Sequence, residues 1–332
     1  MLHYITVENA EALDAYVAAY PKSPVMQTSL WGKVKKDWRW HGLLCTDEAG
    51  KPRGSAAILE HRLRYFPSSL LYAPCGPLFE DEAAFRELLE GIQKLGREVG
   101  AYLFRMDPQI PETDAAFLVM MKRCGFRRNS ATDFSLFQPR MNYVLPLDGL
   151  MEQTLPGSYH PSTRRNIRLA QSRGVVVRQG SEADLPAFMV LMEKTAQRCG
   201  FPARSEDYFR ALLAGLGENA VLYLAMEDGR TVAASVAAFY GHRASFLYGC
   251  SDTDHSSDHA NELLQWHMQL EALRRGCDTY DFRGVEGYPT EDNPKFGLHR
   301  YKQGFGAKFT VYAGQFDLPL RPWLAKVMRL CR

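Results

Sequence analysis

Residues 280–306 open with Tyr280-Asp281-Phe282-Arg283-Gly284 and close with Tyr301-Lys302-Gln303-Gly304-Phe305-Gly306. Charges alternate with aromatics at the first end. This predicts a short strand with Asp281 and Arg283 on one face and Tyr280 and Phe282 on the other. Gly287, Pro289, Pro294 and Gly297 then predict a long loop. Lys302 sits between Tyr301 and Phe305, and Gly304 and Gly306 allow another backbone to approach closely. Taken alone, the lysine is either a solvated charge beside a buried strand or a group at a site.

Outward from this stretch, the second half of the chain has a regular order. Helical patterns at Phe188–Arg198 and Ser205–Leu216 precede strands at Val221–Met226, Val232–Tyr240 and Ala244–Cys250, joined by tight turns. A helix over 257–275 and the strand Thr279–Arg283 close the unit. The first half repeats the order. Helical patterns at 8–20 and 28–38 lead to strands His41–Thr46, Gly54–Leu63 and Leu70–Ala73, a helix Glu80–Glu98 and a strand from Ala101 to Pro108. A helix over 116–126 and a strand Phe134–Leu147, interrupted at Pro139, follow. The spacing also repeats: Gly50 to Tyr72 is 22 residues and Gly229 to Tyr248 is 19, while Tyr72 to Asp107 is 35 and Tyr248 to Asp281 is 33. Five elements in one order at near-equal spacing indicate a duplicated fold.

The expected architecture is therefore α/β with mixed sheets, built as tandem acetyltransferase-like (GNAT) domains. In such domains the central strands splay to admit an acyl donor. The first domain is expected over residues 1–145 plus 317–332 and the second over 146–316.

Bulk properties exclude several classes. The chain has 332 residues, 46% hydrophobic, with a net charge of +2. That suits a two-domain globular protein and excludes a strongly basic nucleic-acid coat protein. Seven scattered cysteines without a C-x-x-C pair form neither a disulfide framework nor a zinc ribbon. No window approaches the roughly 18 apolar residues of a membrane span, and the N-terminus lacks a signal-peptide core, so a cytoplasmic protein is expected.

Three local features bear on function. Tyr159 to Arg178 holds five arginines and no acid, with Ser162 or Thr163 as a helix cap, so Arg164, Arg165 and Arg168 are candidates for phosphate contacts. The basic tail Arg321–Arg332, with Trp323, Leu324 and Val327, is expected to pack back on the first domain. His255 and His259 have metal-ligand spacing but no accompanying H-E-x-x-H glutamate, so no metal is expected.

An absence is equally informative. An acetyl-CoA enzyme of this fold places a Gln/Arg-x-x-Gly-x-Gly/Ala loop after the third meander strand, where backbone N–H groups hold the pyrophosphate. The first copy has Cys75-Gly76-Pro77-Leu78-Phe79 there and the second has Ser251-Asp252-Thr253-Asp254. Neither suits a diphosphate, so the donor is not expected to be acetyl-CoA, and no cofactor is called for.

These residues together resemble the Fem aminoacyltransferases of peptidoglycan interpeptide-bridge synthesis. The resemblance runs through Gln27-x3-Trp31-x3-Lys35, Tyr72-Ala73-Pro74-Cys75-Gly76-Pro77, Arg105-Met106-Asp107-Pro108, Arg164 to Ala170, Tyr248-Gly249-Cys250-Ser251, and the two ends of the opening stretch. It implies transfer of an amino acid from aminoacyl-tRNA to an amine on the stem peptide of a cell-wall precursor. The partners implied are aminoacyl-tRNA and either UDP-MurNAc-pentapeptide or a lipid-linked precursor near a membrane, with no DNA. Between Leu185 and Gly217 there is no room for the coiled-coil arm of some members, so the chain is similar to the short, armless ones.

By the same resemblance, Lys35 and Arg204 hold the acceptor's diphosphate, and Trp38, Tyr208 and Tyr248 form the acceptor wall. Asp107 lies near the acceptor groove as a candidate base, and Lys302 lies beside the reacting ester. Lys35 and Trp38 are expected on one side of a helix, as are Arg204 and Tyr208. Removal of Lys302 is expected to spare stability. Competing readings are an N-acyltransferase using acyl-CoA or acyl carrier protein, and a non-catalytic RNA- or precursor-binding module.

Overall fold

A computed structural model of the chain describes residues 1–252 and 258–330. In chain order the elements are β1 (Leu2–Ile5), α1 (Glu11–Ala19), α2 (Ser29–Val34), β2 (Arg39–Thr46), β3 (Pro52–Arg62), β4 (Ser69–Ala73), β5 (Leu78–Phe79), α3 (Glu82–Glu98), β6 (Ala101–Met106), α4 (Ala115–Arg123) and β7 (Arg127–Asn129). Then come β8 (Met141–Pro146), α5 (Pro161–Ser172), β9 (Val176–Gln179), α6 (Leu185–Cys199), α7 (Glu206–Leu216), β10 (Ala220–Glu227), β11 (Arg230–Tyr240) and β12 (Arg243–Ser251). The chain continues with α8 (Ala260–Arg274), β13 (Thr279–Val285), α9 (Phe296–Gly304), β14 (Lys308–Val311), β15 (Gln315–Pro319) and α10 (Pro322–Leu330). Two compact units result. One comprises Met1–Met141, Glu286–Tyr288 and Thr310–Arg332; the other comprises Asn142–Val285 and Pro289–Phe309.

The first unit is built on a sheet of order β1-β2-β3-β4-β6-β15-β7, with β5 paired to β3. β2, β3 and β4 form an antiparallel meander. The chain then crosses by α3 to β6, which pairs parallel to β4. Asp81 caps α3, its carboxylate accepting from the Ala84 amide at 2.9 Å. The helix buries Phe85, Leu88, Leu89, Ile92 and Leu95 against Leu43, Ile58, Leu71 and Phe104 of the sheet. This is the i, i+3, i+4, i+7 stripe read from the sequence.

The second unit repeats the plan, with a sheet of order β14-β8-β13-β12-β11-β10-β9. β10, β11 and β12 are the antiparallel meander, α8 is the crossover, and β13 is parallel to β12. The fold is mixed α/β with two sheets on one plan, as the spacing predicted. Six residues separate α6 from α7, and the described residues contain no coiled-coil arm.

The units differ where it matters for a site. In the first, β4 and β6 stay paired from Ser69↔Ala101 to Ala73↔Met106, with one register shift between Ser69 and Leu70. In the second, β12 and β13 pair only from Arg243↔Thr279 to Ser245↔Asp281. Both strands continue, to Ser251 and Val285, so they part company after Asp281. The splay expected of the fold is present in the second unit.

Several expectations need correction. The strand expected over Phe134–Leu147 is confined to Met141–Pro146. Pro139 lacks a ladder donor, and Asp133 folds the preceding segment by accepting from the Ser135 amide at 3.1 Å. The helix start expected at Ser162 or Thr163 lies earlier, with His160 as cap and Pro161 in the first turn. The loop expected from Gly284 to Gly297 gives way at its end to α9, which starts at Phe296 and carries Lys302. The helix expected from 257 is described from Ala260, and His255 lies outside the described residues.

Phe85 is fully buried at the centre of the first unit's core. Phe85→Ala is expected to cost about 3–5 kcal/mol of folding stability. Urea unfolding of the variant checks this, and a loss below about 1 kcal/mol contradicts the packing described.

Candidate functional site

Lys302 is reached from β13 and from α9. It is 4% exposed, so it is not the solvated lysine that one reading of the sequence allowed. Its Nζ donates to the carbonyl oxygens of Phe282 at 2.8 Å, Arg283 at 3.0 Å and Gly284 at 2.7 Å. These three successive carbonyls belong to the part of β13 that has left β12. A buried carbonyl without a donor is costly. One ammonium, with three N–H groups, satisfies all three.

The backbone turns sharply at this point. Arg283 has φ +60°, in the left-handed region that costs a non-glycine residue about 1–2 kcal/mol. Asp281 holds the turn, since its Oδ1 accepts from the Arg283 amide at 2.7 Å. Its Oδ2 takes the Arg243 guanidinium at 2.8 Å, with Asp281 fully buried and Arg243 nearly so. Burial alone raises a carboxyl pKa, but the Arg243 and Arg283 guanidiniums and their hydrogen bonds outweigh it and hold Asp281 below the usual range. Lys302 experiences the opposite balance. Burial pulls its pKa down, Asp281 draws it up and Arg283 lowers it, leaving it at about 7.

The two glycines beside Lys302 have the expected use. A Cβ on Gly304 would lie 2.5 Å from Thr163 Oγ1, and one on Gly306, at φ +77°, 2.6 Å from the Ser158 carbonyl oxygen. Both glycines therefore let α9 and its exit close onto the start of α5. Nearby, His299 is fully buried between the Tyr143 hydroxyl at 3.1 Å and Asn293 at 3.3 Å. Sequence reasoning passed over both His299 and Arg243, because Arg243 reads locally as part of a polar turn.

The residues expected to form the acceptor wall in this unit come together. The Tyr248 hydroxyl donates to the Tyr208 hydroxyl at 3.0 Å, and the Arg204 guanidinium lies over the Tyr208 ring, 5.5 Å from its centroid. Arg204 is not on the helix with Tyr208, as the spacing suggested. Ser205 caps α7, its hydroxyl accepting from the Tyr208 amide at 3.3 Å, and Arg204 precedes the cap. The pair meets because the arginine folds forward over the first turn. Burial raises the Tyr208 hydroxyl pKa well above its ordinary value.

The arginines of α5 divide. Arg164 turns back on its own helix start and donates to the Tyr159 carbonyl at 2.6 Å. Arg165 and Arg168 are exposed, three residues apart on one face. A cleft of about 480 Å³ lies at the start of the same helix, lined by His160, Thr163, Asn166, Glu262, Arg300 and Tyr301.

In the first unit, Asp107 is 7% exposed and uses both oxygens. Oδ2 accepts from the Tyr72 hydroxyl at 2.5 Å, and Oδ1 accepts from the Cys75 amide at 2.6 Å. Cys75 has φ +57°, so each unit uses the acid of its last core strand to hold one left-handed residue. Gln27 completes the corner, donating to the Pro74 carbonyl at 2.8 Å and packing where a Cβ on Gly76 would lie. Tyr72 in turn packs edge-on against Phe137, with centroids 5.0 Å apart, and lies 6.3 Å from Trp38.

Lys35 and Trp38 do not share a helix face, because α2 ends at Val34 and Lys35 is its cap. The Lys35 ammonium lies 5.3 Å from the Trp31 ring centroid, and the Trp38 ring lies tilted against His61, with centroids 4.7 Å apart. A second cleft, of about 420 Å³, opens beside Arg105, Arg128, Phe137 and Asp317. Neither cleft is lined by Lys302, Asp107 or the proposed wall residues. Among the described residues no group of three metal-ligating side chains gathers.

Backbone amides are engaged where the fold would otherwise hold a pyrophosphate. In the first unit the Cys75 amide is bound to Asp107, and Pro77 has none to offer. In the second, the Ser251 amide donates to Thr195 Oγ1 at 3.1 Å and the Asp252 amide to the Val232 carbonyl at 2.9 Å.

A duplicated acetyltransferase plan, a splayed second unit and a buried lysine at the splay define a class of acyl-transfer fold without its usual clamp. Comparison with known proteins agrees with this. The FemAB family profile matches residues 9–230 and 226–332, and the chain belongs to the FemAB family. It is similar to the lipid II:glycine glycyltransferase of Staphylococcus haemolyticus, 24% identical over 383 residues, covering 92% of this chain and 90% of the relative. The corresponding enzyme of Staphylococcus aureus (strain bovine RF122) is also 24% identical, with the same coverage. In structure the chain is similar to FemX, with a TM-score of 0.89 and 22% identity over 98% of this chain and 99% of that one. A tandem GNAT protein from the clavulanic acid pathway shares the fold at a TM-score of 0.56 and 12% identity, over 97% and 99% of the two chains.

The geometry overturns the expectation that losing Lys302 spares stability. Lys302→Met keeps the bulk but leaves three buried carbonyls without a donor, and is expected to cost on the order of 3 kcal/mol. A pH signature accompanies this loss. The folded pKa, about 7, lies below the ordinary lysine value. Between the two values the unfolded chain binds more protons, so this group's contribution to stability rises with pH, by at most about 1.4 kcal/mol per unit. It is complete above the unfolded pKa and lost as pH falls through about 7. Denaturant unfolding of wild type and Lys302→Met across this window checks both points. Equal stabilities, or a constant difference, contradict them.

Proposed function

We propose that the chain transfers an aminoacyl group from aminoacyl-tRNA to the stem-peptide amine of a peptidoglycan precursor. We assign the donor to the second unit; the acceptor residues proposed are Lys35 and Trp38 in the first unit and Arg204, Tyr208 and Tyr248 in the second. The observation that carries this reading is the splay of β12 from β13, with the Lys302 ammonium fixed at its root. The opening is proposed to admit an acyl donor, while among the described residues the Cys75, Ser251 and Asp252 amides at the positions that would hold acetyl-CoA are occupied. A donor on tRNA brings its own phosphates, for which Arg165 and Arg168 on α5 are exposed. The relatives named lipid II:glycine glycyltransferase support an acceptor that carries a stem peptide. The similarity to armless Fem proteins supports the UDP-linked form of the same acceptor. Transfer on the cytoplasmic side suits either form.

The chemistry is attack of the peptide amine on the aminoacyl ester. The new C–N bond forms, an oxyanion develops on the former carbonyl oxygen, and the ribose hydroxyl departs with the proton that the amine gives up. In its ammonium form Lys302 engages all three donors and contributes the field of a fixed, desolvated cation. This is worth on the order of 3 kcal/mol, or 10²-fold in rate. Asp107 has both oxygens occupied, and its part is to hold Tyr72 and the Cys75 corner of the acceptor wall; the leaving ribose oxygen takes the proton. Arg204, stacked on Tyr208, and Lys35 are the cations proposed for the acceptor's diphosphate. Holding both substrates in register supplies much of the remaining acceleration.

The test offers purified protein a pool of charged tRNA, or labelled acetyl-CoA, together with UDP-MurNAc-pentapeptide or its lipid-linked form. Mass spectrometry of the acceptor should show one added amino acid residue with tRNA and none with acetyl-CoA. Arg204→Ala should weaken acceptor binding about tenfold, the loss of one charge-assisted contact. Acetylation instead of aminoacylation, or unchanged acceptor affinity in the variant, contradicts the proposal.

A further inference from the structure

The first unit carries a surface that the transfer reaction does not use. The tip of the β3–β4 hairpin and α10 meet over Gly100. A Cβ there would lie 3.2 Å from the Arg321 guanidinium and 3.6 Å from the Pro67 carbonyl. Beneath them Leu70, Tyr102, Leu103 and Leu324 form a small core, packed by Leu63 from the hairpin and Ala325 and Met328 from the helix. The tail thus folds back on the first unit through Leu324. It does so without burying its other face. Trp323 is 70% exposed and Tyr65 82% exposed, with Val327 and Phe66 also open.

The charges on the hairpin tip and on α10 are of one sign. Arg62, Arg64, Arg321 and Lys326 are exposed, and the Arg64 guanidinium lies over the Tyr65 ring, 5.5 Å from its centroid. Residues 61–79 and 318–332 contain no aspartate or glutamate. We propose that this face docks on an anionic lipid bilayer, with Tyr65, Phe66, Trp323 and Val327 at the headgroup level and the four cations on the lipid phosphates. Exposed Trp and Tyr beside arginine and lysine match the physics of an interface, where an apolar body is buried and cations meet anionic headgroups. The face fits a second copy of the chain poorly, since a two-fold contact sets each cation against its own like. The described residues contain no helix long and apolar enough to cross a membrane, so docking here would be peripheral. This reading uses no residue of the proposed transfer site and stands or falls separately from it.

The experiment is co-sedimentation of the full chain with vesicles of phosphatidylcholine alone or mixed with phosphatidylglycerol, at low and high salt. Binding is expected only to the mixed vesicles and should fall at least tenfold in high salt. Each cation near an anionic surface is worth roughly fivefold in partition, so Arg64→Glu with Lys326→Glu should abolish detectable binding. Tyr65→Ser with Trp323→Ser should weaken it severalfold. Brominated acyl chains should quench tryptophan fluorescence of the wild type, and Trp323→Ser should remove that quenching. All four positions are exposed, so melting temperatures should not change. Absence of binding to the mixed vesicles overturns the proposal, as does binding that survives the two charge reversals or is undiminished by the two aromatic substitutions. Self-association in lipid-free sedimentation velocity that depends on Trp323, without vesicle binding, assigns the face to a second copy and also overturns it.

Discussion

One buried ammonium bonded to three consecutive carbonyls allows β13 to part from β12 while it stays in the sheet. A strand that parts from its neighbour inside a protein exposes backbone acceptors to a dry interior, and each must find a donor. Lys302 supplies three from a single side chain. The direction of the departing strand is set two residues earlier, where Asp281 holds the left-handed Arg283 by its amide and is itself neutralised by Arg243. A buried pair of this kind is weak evidence for stability but strong evidence for a fixed geometry, because losing either partner strands a charge. The glycines of α9 and its exit, pressed against Thr163 and Ser158, bring the lysine to that point.

The two units show how one plan serves two ends. Each has a meander, a crossover helix and a parallel strand, with an aspartate just beyond that strand (Asp107) or within it (Asp281) that grips a left-handed residue. In the first unit that grip closes the structure. Asp107 ties Cys75 to Tyr72, Gln27 fills the space beside Gly76, and β4 stays paired with β6 to its end. In the second unit the grip opens it. Divergence between the copies therefore lies in where the aspartate's amide partner sits: across the sheet beyond β4 in one, and two residues along its own strand in the other.

Much of this was legible in the sequence. The meander–helix–strand order and its repeat spacing follow from turn glycines and apolar periodicity, which depend on local chemistry. Asp107 and Asp281 could be singled out by their matching places in the repeat, and Lys302 by its aromatic and glycine flanks. What the sequence hid was long-range. β15 returns from the end of the chain to lie between β6 and β7, and nothing local in Gln315–Pro319 announces its partners. Arg243 reads as a turn residue until Asp281 lies beside it. The three carbonyls on Lys302 are backbone groups with no sequence signature at all. Lys35 and Trp38 were misplaced on one helix because i, i+3 spacing was read past the point where the helix ends. The exposed side of α10 was hidden by the same limit, since amphipathic spacing shows that a helix has two faces but not which one is covered.

The central claim is that the splay of the second unit, rooted at Lys302, receives the aminoacyl end of a tRNA. It is tested most directly by cross-linking the wild-type protein to an RNA hairpin that ends in CCA, carries a non-hydrolysable 3′-aminoacyl amide and bears a photoreactive group on the amino acid. Peptide mapping of the adduct is predicted to place it within residues 243–251 or 279–306, and excess unlabelled aminoacyl-tRNA should compete it away. Adducts confined to the first unit, or insensitive to the competitor, would contradict the account.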